Sequence, residues 1–283
     1  MVVVEKIQAV RELTGSWRKQ GLSIGFVPTM GYLHQGHRSL MEKAREENDR
    51  VVVSIFVNPI QFGPNEDFEK YPKDFARDRD VCESVRVDLL FNPPANEMFP
   101  SKNLAYVDVL ELGDGLCGVK RSGHFRGVCT IVAKLFNIVG PDRAYFGEKD
   151  AQQLGIIQRM VEDLSFNTAI VPVPIVRDLD GLALSSRNSY LSVTERQAAL
   201  VISKSLNTAC QRIKDGETDA ETVKKGITEI ISTEPLAIID YVDIVDSSFL
   251  KPIPRIDRPV IVAVAVFIGK TRLIDNFFIK EGL

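Results

Sequence analysis

The sequence predicts an α/β fold: a mostly parallel sheet with flanking helices, joined to a smaller α+β domain at the C-terminus. Three observations carry it. Over residues 1–176 strand-like runs alternate with helix-like segments, the order that builds a parallel sheet through right-handed crossovers. The strand-like runs are continuous; RVVVSIFVN at 50–58 is apolar throughout, as a strand covered by helices on both faces must be. After SSRNSYLS two helical segments come first and the strand-like runs follow. That change places a boundary near 176–190 and divides the chain into 1–176 and 177–283.

Element by element, 22–29 is a strand, 36–49 an amphipathic helix and 50–58 a buried strand. A charged helix at 75–85 leads into a strand at 87–93. Residues 93–125, with Pro93, Pro94 and Pro100, are an irregular insertion holding one strand at 106–110. A helix at 127–139, a short strand at 143–147, a helix at 148–164 and a strand at 168–176 complete the first domain. In the second, 194–216 is one helix with a Thr-x-x-Gln start and a glycine just past its end. A helix at 219–232, strands at 237–245 and 259–268, and a short C-terminal strand follow.

The composition excludes several classes. With 283 residues, 45% hydrophobic and 26% charged, the chain has the balance of a soluble globular protein. A net charge of −3 provides no basic field for a nucleic-acid backbone. Its four cysteines are scattered, without a Cys-x-x-Cys pair, so reduced thiols in a cytoplasmic protein are expected and a structural zinc site is not. The N-terminus lacks the basic start and long apolar segment of a signal peptide. The longest apolar run, 259–269, is too short to span a bilayer.

Ligands of parallel α/β sheets bind beyond the carboxyl ends of the strands, and four polar clusters fall there. The first is PTMGYLHQGHRSL, which contains two of the three histidines, His34 and His37, with Gly31 and Gly36 around them. Glycine lets backbone amides approach a phosphate, the helix N-terminus favours an anion, and imidazoles can donate to phosphoryl oxygens. A helix cap plus a surface histidine is the plainer alternative. In the second cluster Asn58 and Gln61 follow the buried strand, uncharged amides suited to hydroxyls and a carboxylate; Asn-Pro is equally a common turn starter. The third is YFGEKDAQQL: Gly147 ends a strand, Lys149 and Asp150 open a helix, and Gln153 lies one turn further on the same face. Lysine there suits phosphates and aspartate suits ribose hydroxyls, though a solvated helix start reads the same way. In the fourth, VRDLDGLALSSRNSYLS, the group Ser185, Ser186 and Arg187 suits a triphosphate tail on a loop able to close and withdraw. A linker with a helix cap is its alternative.

In this order, PTMGYLHQGH, VVVSIFVNPIQFG, GHFRGVCTIVAKLFN, FGEKDAQQL and LSSRN resemble the pantothenate synthetase (pantoate–β-alanine ligase) family. The first and last resemble local forms of the His-x-Gly-His and Lys-Met-Ser-Lys-Ser motifs of the nucleotidylyltransferase and class I aminoacyl-tRNA synthetase superfamily. The resemblance implies a Rossmann-like first domain binding nucleotide and pantoate, with the second covering the ATP site. It implies a ligase: pantoate and ATP give pantoyl adenylate and pyrophosphate, and β-alanine then expels AMP. By motif, Pro28, Thr29, Met30, Gly31, His34, Gly36 and His37 would line the ATP site, with His37 the proton donor. Gly147, Glu148, Lys149 and Asp150 would take ribose and phosphates, Val176 adenine through its backbone, and Leu184, Ser185, Ser186 and Arg187 the triphosphate. Met30, Gln61 and Gln153 would hold pantoate, with Asn58 supporting, and His34, His37 and Lys149 would be catalytic. Magnesium would arrive on ATP; Asp78 and Asp80 lie in an acidic stretch of irregular spacing, and no protein ligand is assigned. A homodimer is also implied. Leu184 stands where methionine is usual, and Ala151 where a bulkier residue is frequent, which would loosen the pocket near Gln153. Two other readings remain: nucleotidyl transfer to a phosphate acceptor, and a non-catalytic nucleotide-sensing module.

Overall fold

The computed structural model describes residues 1–64, 66 and 68–280, and within them the chain forms two compact units. Of the described residues, those in 1–110, 120–148 and 156–174 form the first, and those in 111–119, 149–155 and 175–280 the second. Two short segments from within the first 176 residues, 111–119 and 149–155, therefore belong to the second unit. Among the described residues no helix is long and apolar enough to cross a membrane.

The first unit runs β1 (Val2–Val4), α1 (Ile7–Lys19), β2 (Ile24–Thr29), α2 (Gln35–Glu47), β3 (Arg50–Ile55), α3 (Phe75–Ser84), β4 (Leu89–Phe91), α4 (Ala95–Met98), α5 (His124–Val139), β5 (Arg143–Gly147), α6 (Ala151–Asp163) and β6 (Ala169–Val173). The first turn of α6 belongs to the second unit. All five strand pairings are parallel, in the order β1-β4-β3-β2-β5-β6. Continuous apolar runs are what this sheet requires. Val27, Val51, Val53, Leu90 and Tyr145 pack toward α2 and α3 on one face. On the other, Phe26 meets Phe136 of α5 edge-on, with ring centroids 6.3 Å apart. The strand order reverses between β2 and β5, so their carboxyl ends form a topological switch point.

Two expectations fail in this unit. Residues 106–110 form no strand; Leu104 and Leu110 are exposed, and the Val107 N–H donates to the Thr130 hydroxyl instead of a neighbouring strand. At the N-terminus, where no element is expected, three valines pair with β4 and an amphipathic helix follows.

The second unit adds α7 (Val193–Ala198), α8 (Leu200–Lys214), α9 (Ala220–Ile231), β7 (Ala237–Asp246), β8 (Val260–Ile268) and β9 (Thr271–Ile279). The three strands form one antiparallel sheet in sequence order, with β8 in the middle. Ile202, Leu206 and Ile213 of α8 and Val223 and Ile227 of α9 form one core with Val260, Val262, Val264 and Val266 of β8. The expected single helix at 194–216 is two, meeting at Ala199. Its cap is Ser192 paired with Glu195, ahead of the expected Thr-x-x-Gln start. Gly216, at φ 101°, ends α8 as expected. The C-terminal strand is nine residues long rather than short.

Candidate active site

The first unit brings Thr29, Met30, His34, His37, Asn58 and Gln61 to the carboxyl edge of its sheet. β2 ends at Thr29, whose hydroxyl donates to the Ser54 carbonyl at 2.8 Å and accepts from the Gly31 N–H at 3.2 Å. Gly31 (φ 85°) and Tyr32 (φ 52°) are then successive left-handed residues. A Cβ on Gly31 would lie 2.9 Å from an Asp78 carboxylate oxygen, so only glycine fits. This turn aims two N–H groups at Asp78 of α3: Tyr32 donates to one oxygen at 2.8 Å and Leu33 to the other at 2.6 Å. Asp78 is 1% exposed. Burial raises its pKa, and the two N–H bonds oppose that rise.

The chain leaves this turn into α2 with His34 as N-cap. His34 Nδ1 accepts from the Gly36 N–H at 3.1 Å, and His37 Nδ1 accepts from the His34 N–H at 3.3 Å. This is a capping box built from two imidazoles, with ring centroids 4.1 Å apart. An Nδ1 that accepts from a backbone N–H carries no proton, so each neutral ring holds its proton on Nε2. The sequence left helix capping and phosphate donation as alternatives for these histidines. The same rings can do both, through opposite nitrogens. Gly36 makes room, because a Cβ there would lie 2.9 Å from the His34 ring.

Asn58, 1% exposed, and Gln61 follow β3. A 3₁₀ turn at Pro59–Gln61 brings the two carboxamides together: Asn58 Nδ2 donates to Gln61 Oε1 at 2.9 Å and to the Gly127 carbonyl at 3.1 Å. Gln61 Nε2 lies 3.2 Å from Met30 Sδ, which links this turn to the first cluster. Asn58 Oδ1 is buried with no partner among the described residues, an acceptor left over from this pair. The third histidine, His124, supports Gln61 from below through its backbone, 2.8 Å from Nδ1 to the carbonyl oxygen.

At β5 the chain passes through Gly147 and Glu148 into the second unit at Lys149. Lys149 and Asp150 lie in a 3₁₀ turn, and the helix expected to open there begins at Ala151. Lys149 and Gln153 are half-buried, Asp150 is exposed, and Ala151 is 7% exposed. The Lys149 carbonyl accepts from Asn276 Nδ2 at 2.9 Å. Beside Asn276 on β9, Asp275 takes the Arg177 guanidinium in a bidentate pair at 2.6 and 2.8 Å. Arg177 follows Val176 at the start of the loop that runs to Arg187. Within it, the Leu184 N–H donates to the Val176 carbonyl at 3.0 Å, and Ser185 Oγ accepts from the Arg187 N–H at 3.2 Å, capping a 3₁₀ turn at Ser186–Tyr190. One buried Asp-Asn pair thus anchors both phosphate-type segments of this unit. Sequence reasoning missed Asp275, Asn276 and His124. The signals were two consecutive polar residues inside the apolar run TRLIDNFFI, and a histidine within GHFRGV.

Both Asp78 oxygens accept backbone N–H groups, and Asp80 is 70% exposed beside Arg79. Among the described residues, no group of three or more His, Cys, Asp or Glu side chains is arranged to hold a metal ion.

Comparison with known proteins gives a consistent picture. Residues 2–278 match the family model described as Pantoate-beta-alanine ligase. Pantothenate synthetase of Clostridium botulinum (strain Loch Maree) is 54% identical over 280 residues, covering 99% of this chain and all of that protein. The Clostridium acetobutylicum enzyme is 55% identical over 277 residues, covering 98% of this chain and 99% of its own length. The crystal structure of pantothenate synthetase from Thermus thermophilus superposes with a TM-score of 0.91 at 43% identity, over 98% of this chain and 99% of that one. The pantoate-beta-alanine ligase of Francisella tularensis, complexed with beta-gamma ATP and β-alanine, gives 0.79 at 38% identity, over 98% and 97%.

Proposed function

We infer the chemistry of this site from one premise: the chain belongs to the pantoate–β-alanine ligase family. It is a ligase that condenses pantoate with β-alanine to give pantothenate, with ATP as co-substrate. A carboxylate is a poor acyl donor, so its oxygen first attacks the α-phosphorus of ATP. The bond to the pyrophosphate leaving group breaks, and pantoyl adenylate forms. The β-alanine amine then attacks the acyl carbon, loses a proton and expels AMP.

Nothing in this route requires a protein nucleophile; it requires charge stabilisation on phosphoryl oxygens and fixed orientation. The observation that carries the reading is the imidazole capping box, which fixes the proton of both neutral rings on Nε2. Nε2–H groups of His34 and His37 donate to phosphate oxygens as charge builds. His37 acts through this hydrogen bond, since full proton loss from a neutral imidazole is unfavourable. Lys149 supplies a point charge to the phosphates. Gly147, Glu148 and Asp150 take the ribose side, the Val176 backbone takes adenine, and Leu184, Ser185, Ser186 and Arg187 take the triphosphate. Gln61, Gln153, Met30 and Asn58 hold pantoate, with the buried Asn58 Oδ1 suited to a hydroxyl donor. Magnesium enters as part of the Mg·ATP substrate and neutralises phosphate charge. A homodimer would scatter light with a mass of about twice 31.6 kDa.

The test is a stepwise product assay. Pyrophosphate should appear with ATP and pantoate alone, and AMP only after β-alanine is added. Pyrophosphate release that ignores pantoate would sink the assignment.

A further inference from the structure

The stretch GHFRGV has no part in the roles above. Its geometry is nonetheless organised around one of them. Gly123, at φ 77°, turns the chain into α5, and His124 is the first helical residue, 8% exposed. His124 Nδ1 lies 2.8 Å from the Gln61 carbonyl oxygen. An oxygen of that kind only accepts, so Nδ1 carries the proton and Nε2 of the neutral ring is an acceptor. Arg121 Nη1, which only donates, stands 2.9 Å from that Nε2. Arg121 is itself held by Glu66 through two bonds, at 2.9 and 2.6 Å. One helical turn on, Gly127 lets α5 lie against the same turn: a Cβ there would fall 2.4 Å from the Ile60 carbonyl oxygen and 2.6 Å from Gln61 Cα.

The Gln61 backbone is therefore gripped on its carbonyl by His124 and on its Cα by the bare surface of Gly127. Its side chain is set by Asn58 and Met30. We propose that His124 is a positioning residue for pantoate binding: its Nδ1–H fixes the Gln61 backbone, and Arg121, braced by Glu66, fixes the His124 tautomer. The proposal rests on the reading of Gln61 as a pantoate-holding residue. Glu66 and Arg121 are far apart in sequence, so the relay also ties the segment after β3 to the start of α5.

The two amide substitutions of histidine separate this role from mere filling of space. In His124→Asn the amide nitrogen reproduces Nδ1 and keeps the donor to Gln61; in His124→Gln it reproduces Nε2 and does not. With the full-length enzyme, His124→Gln should raise the pantoate KM about tenfold, leaving the ATP KM within about twofold. His124→Asn should stay within about threefold of wild type for both substrates. Equal pantoate KM values for the two variants overturn the proposal. Gln61→Ala is measured alongside. A pantoate KM that ignores Gln61→Ala removes the reading of Gln61 and this proposal with it. One that responds to Gln61→Ala but not to His124→Gln removes this proposal alone. If the His124 variants do not fold, Arg121→Leu carries the same readout: pantoate KM up about threefold, ATP KM unchanged, with no change in pantoate KM counting against the relay.

Discussion

The imidazole turn of the first unit and the Lys149 segment of the second share one proposed task, stabilising phosphate charge, but they are held in place differently. The imidazoles are fixed by their own neighbourhood. His34 and His37 are braced by backbone N–H groups of residues 34 and 36, and one nearby helix contributes Asp78. Lys149 and the loop from Val176 to Arg187 depend instead on Asp275 and Asn276, about a hundred or more positions along the chain. A largely local turn fixes its functional groups with few distant partners, here Asp78 of α3. A remotely anchored one requires the second unit's sheet to form first. Locally fixed groups should therefore link activity to the stability of one turn, and remotely fixed ones to the integrity of a strand.

The largest expected effects test the shared task. His37→Ala and Lys149→Ala should each lose about 2–4 kcal/mol of transition-state stabilisation in kcat/KM for pyrophosphate release. They should part in stability. His37→Ala also removes half of the capping box and should lower unfolding free energy by about 1 kcal/mol. Lys149→Ala leaves the backbone bond to Asn276 intact and should change stability by less than about 0.5 kcal/mol. Equal melting losses for the two would erase the contrast.

Next comes a change that moves one ring without removing it. In Gly36→Ala the new methyl meets the His34 ring at 2.9 Å, and the imidazole must swing away from its cap. A misplaced donor of this kind should cost on the order of tenfold to a hundredfold in kcat. Pantoate binding, followed by calorimetry without ATP, should stay as in wild type. A variant with full kcat would mean that the ring position is not critical, and local bracing would lose its functional meaning.

The remote anchor is tested by Asp275→Asn, which keeps the shape but turns the bidentate acceptor toward Arg177 into a mixed group. Arg177 is 30% exposed, so water screens part of the loss, and about 1–2 kcal/mol of stability is expected. The ATP KM should rise while the pantoate KM holds. If the pantoate KM rose equally, the Asp-Asn pair would be a general support of the fold and not an anchor of the phosphate segments.

The same contrast explains what could be read from the chain. The parallel sheet was legible because β3 is apolar on both faces, a pattern that only a helix-covered strand needs. His34 and His37 were legible because each ring's backbone partner lies within three residues, and Asn58 and Gln61 because they pair with each other three residues apart; their further partners Gly127, Met30 and His124 were not. Asp275 and Asn276 were not: their meaning depends on Arg177 and Lys149, which the fold, not the sequence, makes neighbours. His124 was not legible because the expected helix began only at 127, which left this histidine in the irregular insertion; α5 in fact starts at His124 and sets its ring against the Gln61 carbonyl. The strand expected at 106–110 failed for the converse reason. Its apolar residues fit a strand locally, but the structure gives them no partner strand to pair with.

The smallest effect sharpens the comparison without touching activity. Burial pushes the thiols of Cys82 and Cys129, both in the first unit, up to about 12. At pH 8 both are then protonated, and a protonated thiol is a poor nucleophile. Cys210, on α8 of the second unit, is only partly buried and forms no disulfide. Brief treatment of the native enzyme with iodoacetamide at pH 8 should therefore place its first label on Cys210, read by peptide mass spectrometry, with Cys82 and Cys129 unlabelled until denaturant is added. Raising the pH toward 9 should leave those two unlabelled as well, because their titration lies well above it. Early labelling of Cys82 would mean that α3 opens readily. Since α3 also carries Asp78, the turn that braces His34 would then be far less rigid than its hydrogen bonds imply.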